Sequence, residues 1–153
     1  MKTLKVIVLS VIISVFGFSK SEAQDKKIEG EYLWFFDTYW STQIEECTGE
    51  RVSGNVIIYY FATFTEKHRN YHERGHGDLV GESGTSYTLD VEYNNRGTWN
   101  EPIMCNGGYS CPMQIRREGK LVAIIHESYH GVAFIDDLEN PVVDRYVHKV
   151  ECK

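Results

Sequence analysis

Alternation of apolar and polar residues with a period of two is the feature that most restricts the fold of this chain. It is clearest in Thr85–Asn94, where Tyr87, Leu89, Val91 and Tyr93 alternate with polar side chains. Successive side chains of a strand point to opposite faces, so this pattern predicts a half-buried β-strand. Similar patterns recur along the chain, and no long stretch shows the spacing of an amphipathic helix. They predict an all-β fold, a single antiparallel β-barrel or β-sandwich of about eight strands.

The first 23 residues have the pattern of a secretory signal peptide. Lys2 and Lys5 precede a mostly apolar stretch over 6–18, and small residues flank Glu22 at the expected cleavage position. The stretch is short for a membrane-spanning helix, which needs about 20 apolar residues. We therefore predict cleavage after Ala23, a single β-rich domain over 24–153, no stable membrane anchor after cleavage, and a secreted or periplasmic location.

The charge and length of the chain limit its partners. A chain of 153 residues with a net charge of −6 fits one domain and lacks the excess of Lys and Arg that binding to nucleic acids requires. No nucleic-acid partner is expected. The oligomeric state is not predicted.

Four cysteines follow the signal segment, and an even number in an exported chain predicts two disulfides. Cys105 and Cys111 flank a glycine-rich segment that could close a small loop, which predicts a Cys105–Cys111 pair. Cys47 and Cys152 would then form the second pair and hold the C-terminus to the body of the domain. The fold is thus expected to be stapled by disulfides.

Two segments resemble known families. Gly75–Tyr87, followed by a last strand ending in Val147–Cys152, resembles small exported β-rich bacterial proteins of no established activity. Gly30-Glu31-Tyr32 resembles the Gly-x-Trp motif of lipocalins, with Tyr in place of Trp. The second resemblance implies a lipocalin-like barrel around a small ligand. The glycines of the first segment, Gly75, Gly77 and Gly81, are interpreted as turn residues.

One motif points to catalysis. His126-Glu127-Ser128-Tyr129-His130 matches HExxH and resembles the zincin metallopeptidases. That resemblance implies zinc held by His126 and His130, with Asp136 as a possible third ligand and Glu127 as general base. It requires a helix, in which residues four apart are about 5–6 Å apart. In a strand they are about 13 Å apart and cannot share one ion. The β-forming residues around the motif favour the strand and a coincidental match.

Aromatic residues are concentrated near the start of the mature chain and again near position 60. They would either fill the core or line a ligand cavity, for which the candidates are Tyr32, Trp34, Phe36 and Tyr60. The leading hypothesis is an exported, non-enzymatic protein without a cofactor that binds a small apolar ligand or a surface partner. The alternative is a small secreted zinc-dependent endopeptidase that uses His126, Glu127 and His130.

Overall fold

The described fold consists of one antiparallel sheet and a short helical segment. A computed structural model describes residues 26–100, 104–134, 137 and 140–153, and the predicted signal peptide over 1–23 lies outside these residues. The strands follow one another in space in the same order as in sequence. They are β1 Lys26–Asp37, β2 Val52–Phe64, β3 His68–Gly81, β4 Ser86–Asn100, β5 Met104–Arg117, β6 Lys120–Phe134 and β7 Val143–Cys152.

The all-β prediction is confirmed, and two of its details change. There are seven described strands, and they form a single sheet, so the two packed sheets of a sandwich are not formed by the described residues. The first and last strands of this sheet are not hydrogen-bonded to each other, so the sheet curls without closing into a barrel. The long strands of 10–15 residues and their consecutive pairing allow this curvature because each neighbouring strand adds its own twist.

The connection between β1 and β2 covers one end of the inner face. It contains a 3₁₀ turn, Thr38–Trp40, and helix α1, Thr42–Thr48, which ends at Gly49 in the left-handed conformation with φ of 80°. Helix α1 contacts β6 and β7, and the Trp40 ring lies 6.2 Å from the ring of His148. This segment therefore spans the gap between the first and last strands at that end. No helix among the described residues is long and apolar enough to span a membrane.

The hydrophobic core lies between α1 and the inner face of the sheet. Alternation along β4 places Tyr87, Leu89 and Val91 on this face, as predicted from the sequence. Ile44 of α1 is fully buried against them. The other buried members of this core are Phe36, Val52, Val56, Ile58, Leu79, Met113, Ile115, Ala123 and Ile125.

The interpretation of Gly75 and Gly77 as turn residues is wrong, because both lie within β3, whereas Gly81 ends β3 and its carbonyl accepts a hydrogen bond from the backbone of Gly84 in the turn that follows. Gly75 and Gly77 lie in β3, opposite core residues of the neighbouring strands. A Cβ atom at Gly75 would lie 2.3 Å from Cδ1 of Ile58 and 2.6 Å from Cγ1 of Val91. Because Gly75 has no side chain, Ile58 of β2 and Val91 of β4 can approach each other across β3 in the curled sheet. In contrast, Gly119 does lie in a turn, between β5 and β6, where its φ is 82°.

The prediction for the two disulfides was half right. Cys47 of α1 and Cys152 of β7 form a disulfide, as predicted. Cys111 is a free thiol, so the predicted Cys105–Cys111 disulfide is wrong. Both residues belong to β5, whose glycine-rich centre is extended and paired on both sides. Six residues of strand span about 20 Å, far more than the 4.4–6.8 Å between Cα atoms that a disulfide allows.

Candidate functional site

Each of the seven strands contributes one tyrosine to a row that crosses the inner face of the sheet. Successive side chains of a strand point to opposite faces. Each tyrosine lies an even number of residues from the core residues of its own strand, so all seven side chains are on the inner face. The row lies beside the core, on the side away from α1. We call it the tyrosine row, and it consists of Tyr32, Tyr60, Tyr71, Tyr93, Tyr109, Tyr129 and Tyr146.

The rings of the tyrosine row contact one another in sequence across the sheet. From Tyr32 to Tyr129 the five successive pairs of ring centroids are separated by 5.4 to 6.3 Å. Three of these pairs are stacked: Tyr60 with Tyr71, Tyr93 with Tyr109, and Tyr109 with Tyr129. Tyr146 continues the row because it lies opposite Tyr129 in the β6–β7 register. Such ring pairs contribute about 0.5–1.5 kcal/mol each beyond their buried area, so the rings hold one another in place.

The tyrosine row is only partly covered. Tyr32 is 43% exposed and Tyr146 48% exposed, and the five tyrosines between them are half-buried. Beyond the row, Gly97, Gly107 and Gly131 lie opposite one another on the inner face of three adjacent strands. The side chain of Arg69 covers Gly97 and the ring of Tyr129 lies over Gly131, so these glycines let the neighbouring side chains lie flat on the sheet. The row therefore presents a continuous aromatic surface to solvent on the concave side of the sheet.

A glycine also makes room within the row. Gly30 lies opposite Tyr60, and a Cβ atom at Gly30 would lie 2.5 Å from the hydroxyl oxygen of Tyr60. This is the segment that resembles the lipocalin Gly-x-Trp motif. In this fold its glycine lets the Tyr60 ring lie across β1, and its Tyr32 begins the row.

Two carboxylates lie on the same face as the rings. Glu73 of β3 accepts hydrogen bonds at Oε1 from the hydroxyls of Tyr32, at 2.7 Å, and Tyr71. Glu127 of β6 accepts one at 2.9 Å from the hydroxyl of Tyr109. Burial, followed by these hydrogen bonds, raises the pKa of all three tyrosines well above 10. The hydroxyls therefore stay protonated and act as donors to the carboxylates.

Cys111 lies between the two carboxylates in sheet order. Its strand, β5, lies beside β6, and Cys111 is directly opposite Glu127 in the register. Burial, together with the negative charges of Glu127 and Glu73, raises the pKa of the Cys111 thiol to about 12. A thiol with this pKa is almost entirely protonated at neutral pH and is a poor nucleophile.

The HExxH motif lies in β6, so the helix required by the zincin alternative does not form. His126 and His130 are exposed and both point outward, about 13 Å apart by strand geometry. Glu127 points to the opposite face and accepts its hydrogen bond from Tyr109 rather than facing the histidines. The assignment of His126 and His130 as ligands of one zinc and Glu127 as catalytic base is therefore wrong. Asp136, the suggested third ligand, lies outside the described residues.

The residues predicted to line a ligand cavity are all on the inner face, with different roles. Tyr32 and Tyr60 belong to the tyrosine row. Phe36 is completely buried in the core, and Trp34 packs edge-on against it at 5.5 Å. Sequence analysis missed the other five tyrosines of the row and Glu73. The sequence does indicate the face of these residues, because each lies an even number of residues from a core position of its own strand.

A second concavity, of about 600 Å³, lies over β4, β5 and β6. Its lining combines polar residues, including Asn94, Arg96, Asn106 and His130, with Gly97, Gly107 and Gly108 and with Tyr109 and Tyr129 of the tyrosine row. This concavity therefore adjoins the tyrosine row at β5 and β6. It contains neither of the inward carboxylates.

Comparisons with known proteins give no relative for this chain. No family model, curated protein or solved structure matches it. The function is therefore inferred from the geometry of the described residues alone.

Proposed function

We propose that this protein is exported and binds a small organic molecule, apolar and aromatic in character, against the tyrosine row. The row itself is the observation that carries the proposal. Seven tyrosines, one from each strand, lie on the concave side of the sheet, and the six from Tyr32 to Tyr129 are in successive ring contact. Binding sites for small molecules are typically concave and rich in aromatic side chains, with a few polar groups that orient the ligand.

The row differs from the core in a way that favours binding over packing. The core beside α1 consists mainly of aliphatic side chains that are almost fully buried, whereas Tyr32 and Tyr146 keep nearly half of their surface exposed. Tyrosine supplies a large contact area at a low cost in conformational entropy and also has a hydroxyl for hydrogen bonding. A surface of this kind suits a flat ligand that stacks on the rings.

Export is the second part of the proposal. The Cys47–Cys152 disulfide indicates an oxidising compartment, because structural disulfides rarely persist in the cytosol. The signal-like pattern of residues 1–23 supports the same location. A lipocalin-like mode of action, in which an exported protein carries a small ligand, agrees with both observations.

Binding to a surface partner is the second hypothesis, and the outer face offers a location for it. The outward side chains of β1 and β2 form an apolar area that is 44–64% exposed. Nothing in the described part of the chain selects an occupant, so the small-ligand hypothesis leads. The residues of this area are Leu33, Phe35, Ile57, Tyr59 and Phe61.

Two adjacent tyrosines of β2 provide a matched test. Tyr60 belongs to the tyrosine row, and Tyr59 points to the outer face, where it is 58% exposed. A panel of aromatic and aliphatic compounds, both neutral and charged, would be screened by thermal shift, and affinities would be measured by calorimetry. We expect Tyr60→Leu to weaken binding of any hit by about tenfold, as loss of a stacking ring typically does, and Tyr59→Leu to leave it unchanged.

The two variants also show how the proposal would fail. Equal weakening by Tyr59→Leu and Tyr60→Leu would place the site on the outer face or show a general loss of folding. A panel without any stabilising compound would remove the small-ligand function.

A further inference from the structure

Glu73 lies at the centre of four members of the tyrosine row. Tyr60 and Tyr93 lie directly opposite it on the two neighbouring strands, β2 and β4. Tyr32 and Tyr71 both donate hydrogen bonds to it. Glu73 is thus held by two tyrosine hydroxyls on the concave face, with two further members of the row beside it in the sheet, of which Tyr60 turns its ring toward Gly30 of β1. We call these five residues the Glu73 cage.

The carboxylate of the cage has no ion pair with a basic side chain among the residues that the structure describes. Both tyrosine hydroxyls donate to Oε1, which leaves Oε2 outside these two bonds. A partly buried carboxylate without a cation costs free energy, and hydrogen bonds from neutral hydroxyls offset only part of that cost.

Arg69 is the basic residue of β3 that shares this face. It lies four residues from Glu73 along the strand, about 13 Å away by strand geometry. Its side chain instead covers Gly97 and lies over the ring of Trp99, with the guanidinium carbon 6.0 Å from the ring centroid. Burial, with the charge of Glu73, raises the pKa of Tyr93, and the charge of Arg69 opposes this increase. Arg69 therefore offsets part of the negative potential of the cage without an ion pair to Glu73 in the described part of the chain.

A second carboxylate extends the negative region across the sheet. Glu127 binds the hydroxyl of Tyr109, and its other oxygen lies 3.9 Å from Nδ1 of His148. Cys111, between the two carboxylates in strand order, is affected by both charges, which help to raise its pKa to about 12. The concave face therefore combines aromatic rings with a negative potential that reaches from β3 to β6.

We propose that the ligand is an organic cation, a primary, secondary or quaternary ammonium compound, whose charged nitrogen binds in the Glu73 cage. This inference rests on the proposed function and specifies the chemical class of the ligand. An ammonium group is attracted to the faces of the tyrosine rings and to the carboxylate at the same time. The hydrocarbon or aromatic part of the ligand then lies along the row toward Tyr109. Of the two carboxylates, Glu73 is the primary site because two tyrosines bind it and it has no ion pair among the described residues, whereas Glu127 lies 3.9 Å from the imidazole of His148.

Charge complementarity selects this class over neutral or anionic ligands. A neutral aromatic compound would stack on the rings but leave the charge of Glu73 uncompensated. An anion would be repelled by both Glu73 and Glu127. A cation gains from the rings, and removing water from the cage strengthens its attraction to the carboxylate.

Three compounds that share a phenyl ring test the inference: phenethylamine, 2-phenylethanol and 3-phenylpropionate. Their affinities for the purified disulfide-bonded protein would be measured by calorimetry at neutral pH. We expect phenethylamine to bind at least about tenfold more tightly than 2-phenylethanol, and 3-phenylpropionate to bind most weakly. Raising the salt concentration is expected to reduce the advantage of the amine, because the cage is partly open to solvent.

Two charge-neutralising variants locate the site. Glu73→Gln keeps an oxygen that accepts the tyrosine hydrogen bonds and removes the charge. Glu31→Gln is the control, because Glu31 precedes Tyr32 and is exposed on the outer face. We expect Glu73→Gln to reduce phenethylamine affinity about tenfold and to change 2-phenylethanol affinity by less than about twofold. Glu31→Gln is expected to leave the affinities for phenethylamine and 2-phenylethanol unchanged. Glu127→Gln is expected to reduce phenethylamine affinity by less than Glu73→Gln does.

The outcomes separate this inference from the proposed function. If 2-phenylethanol or 3-phenylpropionate binds as tightly as phenethylamine, the cation is ruled out while binding at the tyrosine row stands. The cation is also ruled out, and binding at the tyrosine row stands, if folded Glu73→Gln binds phenethylamine more tightly than 2-phenylethanol by the same factor as the wild type. If none of the three binds at millimolar concentration, the cation inference fails. The wider panel against Tyr59→Leu and Tyr60→Leu then decides the proposed function.

Discussion

The Cα atoms of Cys47 and Cys152 lie 4.9 Å apart although 105 residues separate them in the chain. Their disulfide joins α1, which lies across one end of the inner face, to the last strand of the sheet. This link connects the two sides of a sheet whose first and last described strands do not pair. It holds α1 against the core while the tyrosine row at the other side stays open.

The first prediction concerns the stability that this link provides. The double variant Cys47→Ala/Cys152→Ala is expected to unfold with a free energy about 2–5 kcal/mol lower, because the disulfide closes a long loop in the unfolded chain. Denaturant unfolding followed by circular dichroism measures this difference. The control is Cys111→Ala, which leaves the disulfide intact. A double variant as stable as the wild type would show that contacts of α1 alone hold the end of the sheet.

The second prediction concerns the reactivity of Cys111. Its pKa of about 12, compared with an ordinary 9.0, lowers the thiolate fraction at neutral pH about 1,000-fold. Alkylation of Cys111 in the folded protein, read by peptide mass spectrometry, is therefore expected to be very slow and to become fast in denaturant. Rapid labelling of the native protein would contradict the buried, negatively charged environment. A Cys105–Cys111 cross-link in the non-reduced peptide map would contradict the register of β5.

The third prediction concerns alkaline pH. In the folded state the pKa values of Tyr71 and Tyr109 are raised, first by burial and then by Glu73 and Glu127 respectively. A raised pKa stabilises the fold fully below the unfolded value of about 10, and this stabilisation is lost as the pH rises above it. The near-ultraviolet absorbance of tyrosinate is therefore expected to rise together with unfolding above about pH 10. Tyr71→Phe should lessen the alkaline loss of stability.

The control for this titration is the same measurement in denaturant, where all the tyrosines are exposed. There the absorbance should follow a simple titration near pH 10, without cooperativity. Full tyrosinate absorbance near pH 10 in a protein that keeps its near-ultraviolet circular dichroism would show that the row is freely solvated.

The fourth prediction concerns acid pH at the start of the 3₁₀ turn. Arg51 donates two hydrogen bonds to Asp37, and these bonds, followed by one from the backbone of Tyr39, lower the pKa of Asp37 to about 2. A lowered pKa stabilises the fold above the unfolded value of about 4, and this contribution is lost as the pH falls through 2. Because Arg51 is 43% exposed, solvent screening limits the effect to about 0.5–1 kcal/mol.

Asp37→Asn isolates that contribution, because Asn can still accept the hydrogen bond from Tyr39. The difference in unfolding free energy between wild type and Asp37→Asn is expected to be largest near neutral pH and to vanish near pH 2. The control is Asp78→Asn, because Asp78 is an exposed carboxylate of β3. Its difference in unfolding free energy from the wild type would be measured over the same pH range. A difference that stays constant with pH would show that the charge of Asp37 makes no contribution.

The alternation in the sequence determined the all-β class and the inner face of β4. Which face a side chain takes depends only on its position along its own strand, whatever the arrangement of the other strands. The Cys47–Cys152 pair was also predicted, by elimination among four cysteines. The predicted Cys105–Cys111 disulfide was wrong, because the glycine-rich segment between these cysteines has a composition typical of a loop. In the folded protein its strand is extended and paired on both sides, which only the neighbouring strands could decide.

The HExxH motif shows the same division between local and tertiary information. Residue types alone allow a helix with a shared metal or a strand with two outward histidines. The sheet selects the strand, because β6 is paired with β5 and β7 over the whole motif. The same pairing turns Glu127 and Tyr129 inward, where they join the carboxylates and rings of the concave face.

What only the tertiary structure decided is which tyrosines meet. Parity in the sequence assigns each of the seven to a face of its own strand. The register then sets how far along the sheet each strand is placed, and it depends on turns, core packing and curvature together. A register shift of two residues would keep every tyrosine on the inner face and still separate the rings. The tyrosine row and the Glu73 cage are therefore products of strand pairing, whereas the sequence by itself determined the faces from which they are built.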